Sequence, residues 1–154
     1  MAKFFRVFLM VLAVLVIVYC FGPAPKRPVF SNALIALPAE ANSLEKWIAH
    51  KEATHHLRPN NEARIVWAND SIKTKTEYAI VYLHGFSASQ EEGNPTHRDI
   101  ARQFGANLYL ARLAEHGIDT VDQLINYTGE NLWETAKEAY AIGKQLGHKV
   151  ILMG

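Results

Sequence analysis

The stretch Tyr78–Ala88, with the sequence YAIVYLHGFSA, constrains the fold more than any other part of this chain. Its β-branched and aromatic residues end abruptly at His84, Gly85 and Phe86, and small polar residues follow. A short apolar run that is closed by a glycine is typical of a buried strand in a parallel sheet. In an open α/β sheet the functional groups lie beyond the carboxyl ends of such strands. We therefore expect a central strand over Glu77–Leu83 and a functional turn directly after it.

The rest of the chain predicts an α/β domain in which strands alternate with helices. Apolar periodicity, glycines and prolines indicate where the elements begin and end. The predicted elements are, in order, a helix over Ala39–Thr54, strands over Ala63–Ala68 and Glu77–Leu83, a helix over His97–Phe104, a strand over Asn107–Leu113, a helix over Glu130–Leu146 and a strand over His148–Met153. Asn42 or Ser43 is the predicted N-cap of the first helix, and Asn94 is that of the second. This order favours a mostly parallel sheet with right-handed crossovers and helices on its faces.

An uncharged apolar run, Val7–Phe21, follows Lys3 and Arg6 near the N-terminus. As a helix it would span about 22 Å, somewhat less than the hydrocarbon core of about 30 Å, and the two phenylalanines before Arg6 extend it towards spanning length. We expect residues 1–22 to form a hydrophobic helix, with an uncleaved membrane anchor as the first interpretation, a cleaved signal peptide as the second and a buried core helix as the third. The first two make the protein membrane-anchored or exported, with the periplasmic or another extracytoplasmic side favoured.

The prolines that follow the apolar run indicate the domain organisation. Residues 23–38 are expected to form a proline-rich linker that is stiffest near its start. Residues 39–154 are then expected to form the α/β domain.

The composition gives no indication of a nucleic-acid partner, a metal or a cofactor. Sixteen Lys and Arg against fifteen Asp and Glu leave a formal net charge of +1, whereas phosphate binding needs a clustered basic excess. One cysteine cannot build a thiolate cage, and His50, His55 and His56 lack an acidic partner or a third ligand in a fixed geometry. The loops after the strands contain no G-x-G-x-x-G, which argues against a dinucleotide-binding protein.

Three strand-end motifs resemble those of the α/β-hydrolase superfamily, in its lipase, esterase or serine-aminopeptidase branch. The LHGF of Leu83–Phe86 is similar to the strand end that builds the oxyanion hole. The RLAEHG of Arg112–Gly117 resembles the loop after the family's fourth strand. The KVILMG of Lys149–Gly154 resembles the run into the nucleophile elbow, G-x-S-x-G. The resemblance covers residues 63–154, with the three motifs in the family's order.

The resemblance implies a role for several of these residues. The Phe86 backbone N–H would be one donor of the oxyanion hole, supported by His84 and Gly85. His116 and Gly117 would have a structural role in their loop, where Glu115 occupies a position at which relatives often carry glycine. Gly154 would be the first glycine of the elbow.

By the same resemblance the nucleophilic serine would lie two residues past Gly154, and the acid and histidine of the triad would come later. We do not expect Ser87 or Ser89 to replace it, because neither lies on a strand–turn–helix elbow. The expectation is therefore the N-terminal portion of a serine hydrolase for carboxylic esters, lipids or small amides, with no catalytic residue within the chain and no activity on its own. The alternative is a non-catalytic, membrane-tethered binding or interaction module on the same sheet.

Overall fold

The computed structural model describes residues 2–24 and 27–154, and these form an α/β arrangement, as predicted. The elements are helices α1 (Ala2–Phe21) and α2 (Ala41–Glu52), strands β1 (Arg64–Val66) and β2 (Thr76–Tyr82), a 3-10 helix (Gln90–Gly93), helix α3 (Thr96–Gln103), strand β3 (Asn107–Leu110), helix α4 (Gly129–Leu146) and strand β4 (Gly147–Met153). The predicted kinds of element are confirmed, and the 3-10 helix is an addition to them.

The four strands form one mixed sheet in the order β1-β3-β2-β4. Strand β2 is parallel to both β3 and β4, whereas β1 is antiparallel to β3. The antiparallel edge was not predicted, and the length of its connection explains it. Residues 67–75 contain no helix, and a parallel crossover needs about a dozen residues or more, usually with a helix.

The two faces of the sheet are covered by different helices, as the alternation of side chains along a strand requires. Ala79 and Val81 of β2 pack in a core with side chains of α2 and α4. Ile80 and Tyr82 point to the other face, where they pack with Ala101 of α3. Strand β2 is therefore buried on both faces at its carboxyl half.

Two predicted helix caps are wrong. Helix α2 begins after Glu40, which makes no side-chain cap, rather than after Asn42 or Ser43. The residue before α3 is Pro95, while the Asn94 amide donates to Glu91 in the preceding 3-10 helix.

Strand β3 is shorter than predicted and ends at Leu110. Arg112, which the sequence placed in this strand, instead turns its side chain towards α2 and binds Glu52.

The N-terminal apolar helix is confirmed. Residues Lys3–Phe21 are long and apolar enough to cross a membrane or to act as a signal sequence. None of this span is buried against the rest of the described chain, so the interpretation as a core helix of this domain is wrong.

The described part of the expected linker packs along α4. The Trp133 indole N–H donates to the Ser31 carbonyl over 2.7 Å, and the Lys137 ammonium donates to the Ala33 carbonyl over 3.0 Å. Leu37 packs against the core. Residues 25 and 26 of the expected linker lie outside the described residues.

The contact between α4 and the sheet predicts that Gly143→Ala destabilises the fold. A Cβ at Gly143 would lie 2.5 Å from Val81 Cγ2 and 3.1 Å from Val150 Cγ1. Overpacking of this kind costs about 1–3 kcal/mol, which outweighs the roughly 1 kcal/mol that alanine gains over glycine inside a helix. Urea unfolding of the detergent-solubilised chain measures the difference.

Gly129→Ala is the matched control in the same helix. Its Cβ would meet Pro28 at 3.7 Å and Phe30 at 3.9 Å, both ordinary contact distances, so the free energy of unfolding of this variant should stay level or rise slightly. Equal stability of the two variants would contradict the close approach at Gly143.

Candidate functional site

The parallel register brings the carboxyl ends of β2, β3 and β4 together at one end of the sheet. Tyr82 lies opposite Met153, and the Leu83 N–H donates to the Met153 carbonyl over 2.8 Å. A Cβ at Gly154 would lie only 2.9 Å from the Leu83 carbonyl oxygen. The His84–Phe86 turn and Gly154 are therefore neighbours, on adjacent parallel strands.

His84 pins this turn to the Arg112–Gly117 loop. Its Nε2 accepts a hydrogen bond from the Leu113 N–H over 3.1 Å. Because that amide can only donate, the ring proton is on Nδ1, which donates to the Gly85 carbonyl over 2.9 Å. Burial lowers the pKa of His84, and the neighbouring His116 lowers it further. Both ring nitrogens of this buried, neutral side chain are thus occupied by backbone groups, as a structural role requires.

His116 makes the reciprocal connection, from the loop back to the turn. Its Nε2 accepts from the Ser87 N–H over 3.0 Å, and its Nδ1 donates to the Ala114 carbonyl over 2.7 Å. The rings of His84 and His116 meet edge to face with centroids 4.8 Å apart. The two histidines therefore brace the turn against the loop in both directions.

The amides on either side of Phe86 already have acceptors. Glu92 accepts from the Gly85 N–H over 2.6 Å, and a Cβ at Gly85 would lie 3.0 Å from the same carboxylate. The Ser87 N–H is taken by His116. Among residues 2–24 and 27–154 no acceptor contacts the Phe86 N–H. The amide that the resemblance assigns to the oxyanion hole thus lies in a fixed turn and has no acceptor among the described residues.

A buried ion pair supports the Arg112–Gly117 loop from below. The Arg112 guanidinium donates to both Glu52 oxygens, over 2.7 and 3.1 Å, and to the His116 carbonyl over 3.3 Å. Glu52 also accepts from the Ala63 N–H over 2.9 Å. Sequence reasoning missed Glu52, because a carboxylate in the last turn of an amphipathic helix looks like a solvated residue.

Two non-glycine residues of the site have left-handed backbone, Ser87 and Glu115, each with φ of +61°. Gly117 has φ of +69°, and a Cβ there would lie 2.7 Å from Asn61 Cβ. The conformation of Glu115 explains why glycine would fit that position. The left-handed region costs an ordinary residue about 1–2 kcal/mol.

A polar cavity of about 210 Å³ opens beside the turn, with Arg58, Ser87, Ser89 and His116 in its wall. The Ser89 hydroxyl accepts from the Glu91 N–H at the start of the 3-10 helix. Within the described residues neither serine hydroxyl contacts a histidine. Nothing in this geometry activates Ser87 or Ser89 as a nucleophile.

The other histidines form no metal centre in the described part of the chain. His50 and His55 are exposed, and His56 Nδ1 lies 3.7 Å from an Asp119 carboxylate oxygen. Residues 2–24 and 27–154 contain no group of three or more His, Cys, Asp or Glu side chains placed to hold a metal ion.

The burial of His84 predicts a pH dependence of stability. Its pKa is lowered in the folded state, so the unfolded chain, with an ordinary pKa of about 6.5, binds the proton first as the pH falls. The free energy of unfolding should therefore be constant above pH of about 7 and decrease as the pH falls below about 6.5. Urea unfolding between pH 8 and pH 5 measures this decrease.

His84→Asn should make the dependence shallower in that window, in addition to lowering stability overall. His148→Asn, which removes an exposed histidine, is the control and should leave the profile unchanged. An unaltered profile for His84→Asn would show that this ring is not the group responsible.

The left-handed backbone at Glu115 predicts that Glu115→Gly stabilises the chain by up to about 1 kcal/mol, because glycine adopts this region without steric cost. Glu115→Ala retains the Cβ and should give no such gain. Thermal unfolding of the two variants side by side measures the difference, and equal melting temperatures would argue against strain at this residue.

Comparison of the chain with models of protein families, with curated protein sequences and with solved structures gives no match. The features that characterise the site are a braced turn and, within it, the Phe86 amide, which has no acceptor among the described residues and lies beside the end of a neighbouring parallel strand.

Proposed function

We propose that this chain provides the oxyanion-stabilising side of a serine hydrolase that cleaves carboxylic esters, lipids or small amides. The observation that carries the proposal is the Phe86 N–H, which has no acceptor among the described residues and lies in a turn beside Gly154 at the end of β4. Acyl transfer passes through a tetrahedral oxyanion, which is stabilised by hydrogen-bond donors that are already in place. The turn offers one such donor.

Preorganisation is what makes a single amide effective. A donor that needs no rearrangement during the reaction contributes about 10²–10³ in kcat, as removal of one oxyanion-hole donor shows in other enzymes. Here Glu92 and His116 hold the amides before and after Phe86, and His84 fixes the turn to its neighbouring loop. These three residues are positioning residues, since none of them would touch the reacting atoms.

The nucleophilic serine would lie just past the end of β4, next to the turn that carries Phe86. By resemblance, Gly154 would begin the elbow and a serine two residues later would be the nucleophile, with the amide after that serine as the second donor. A Cβ on residue 154 would lie only 2.9 Å from the Leu83 carbonyl oxygen, so a glycine suits this position. The 154 residues alone are expected to be inactive.

A fluorophosphonate probe tests the proposal because it labels only an activated serine. The 154-residue chain should remain unlabelled. A polypeptide in which the sequence continues past Gly154 should be labelled on the serine two residues further on, identified by peptide mapping. Absence of label on that polypeptide, or label at Ser87 or Ser89, would overturn the proposal, and the first outcome would favour the non-catalytic binding module.

The role of the amide itself is tested by replacing Phe86 with its α-hydroxy acid in the longer polypeptide, which removes the N–H and keeps the side chain. We expect kcat to fall by about 10²-fold or more, with little change in KM. The same replacement at Asp122, an exposed loop residue, is the control. Equal activity of both esters would remove Phe86 from the mechanism.

A further inference from the structure

We propose that an apolar rim, defined as Phe86, Val121 and Ile125, rests in the surface of the bilayer that α1 enters. The candidate site would then open towards the membrane and take an amphiphilic ester or amide that resides there. The statement about substrate rests on the proposed function, whereas the contact with the bilayer does not.

The rim consists of large apolar side chains that are unusually exposed: Val121 at 99%, Ile125 at 72% and Phe86 at 70%. Isolated exposed apolar residues are common on protein surfaces. These three lie at one end of the molecule, because the Phe86 ring meets the Tyr127 ring edge to face at 5.5 Å, and Tyr127 closes the loop that carries Val121 and Ile125.

That end of the molecule is also where the N-terminal segment is attached. Helix α4 begins at Gly129, directly after the rim loop. The Val29 N–H donates to Glu130 in its first turn over 3.3 Å, and the Phe30 ring lies edge to face on Trp133 at 5.9 Å. The chain that leaves α1 is thus fixed to the start of α4, beside the rim.

The length of the connection limits how the domain can sit. From Phe21, the last residue of α1, to Val29 there are eight residue steps, which span at most about 29 Å when fully extended. A compact domain of about 126 residues is about 36 Å across. With α1 in a bilayer, the attachment point cannot be a full domain width away from the membrane surface. The tether therefore keeps the rim end within about 29 Å of the bilayer and sets no such limit on the opposite end.

The charge around the rim indicates an apolar contact rather than an electrostatic one. The exposed charged residues of the rim loop, residues 118–127, are Asp119 and Asp122, both acidic. The guanidinium of Arg58 lies 3.6 Å from the Asp119 carboxylate. Binding to anionic headgroups needs a basic cluster. Insertion of apolar side chains between headgroups needs none.

The test uses the full chain, reconstituted through α1 in phosphatidylcholine vesicles. In a Cys20→Ser background, a single cysteine is placed by Val121→Cys and labelled with the fluorophore NBD. The vesicles contain lipids with a nitroxide quencher near the headgroup. The control is Ile72→Cys, an apolar position of 62% exposure in the loop before β2, at the opposite end of the sheet.

We expect severalfold stronger quenching at position 121 than at position 72. Adding Ile125→Asp should strongly reduce quenching at position 121, whereas adding Ile72→Asp should not. Equal quenching at the two positions would overturn the proposal. Quenching at position 121 that appears only after phosphatidylglycerol is added would also overturn it, because contact would then depend on headgroup charge.

The two proposals fail separately. If the longer polypeptide is not labelled by the fluorophosphonate but position 121 is strongly quenched, the hydrolase function is contradicted and the membrane contact stands. Labelling with equal quenching at both positions would do the reverse.

Discussion

Strand β2 is hydrogen-bonded to a parallel neighbour on each side, and this double pairing determines where every part of the candidate site lies. Its register with β3 and β4 is fixed, with Tyr82 opposite Leu110 and Met153. A slip by one residue would exchange the two faces of the strand and turn Ile80 and Tyr82 towards α4. At Gly143 the helix lies so close to Val81 that side chains larger than valine would not fit there. Packing against the helices therefore holds the strand ends level, and the turn after β2 meets the end of β4.

Four buried polar side chains of the site, those of His84, His116, Arg112 and Glu52, form a set in which each has hydrogen-bond partners. His84 and His116 use both ring nitrogens on backbone groups of the neighbouring segment, and Arg112 and Glu52 satisfy each other and two further backbone groups. Removing one member would leave its partners buried without a hydrogen bond, at about 1–3 kcal/mol for each group. Such a set adds little net stability when complete. What it provides is a rigid turn, which a preorganised donor requires.

The sequence was sufficient for the features that depend on local pattern. The apolar run of Glu77–Leu83 and the long amphipathic stretch of Glu130–Leu146 identified the central strand and its main helix to within a residue. The antiparallel direction of β1 was not predicted, although the nine-residue connection after it, over residues 67–75, carried the information. The predicted caps of α2 and α3 were wrong because these helices begin after Glu40 and Pro95 with no side-chain cap at all, and a polar residue near a helix start does not require that a cap forms.

The site was predictable as a set of positions but not as a set of contacts. Sequence reasoning singled out His84, Gly85, Phe86 and His116, and the structure brings all four together. It missed Glu92 and Glu52, because pairing between a carboxylate and a distant amide or guanidinium leaves no local pattern. The departure at Glu115 is the intermediate case: the residue type was noticed in the sequence, and its left-handed φ of +61° gives the physical reason.

The packing of the N-terminal segment on α4 decides whether an anchor can orient a domain at all. If the chain were attached only at Leu37, where it joins the core, sixteen residue steps would separate it from α1 and would span up to about 58 Å. That exceeds the domain width of about 36 Å, so every orientation would be accessible. Attachment at Val29 halves this length. The contact that gives the shorter tether is the hydrogen bond from the Val29 N–H to Glu130, and the bonds from Trp133 and Lys137 to the Ser31 and Ala33 carbonyls hold the following residues along α4. If α1 lies in a bilayer, this tether keeps the start of α4 within about 29 Å of it.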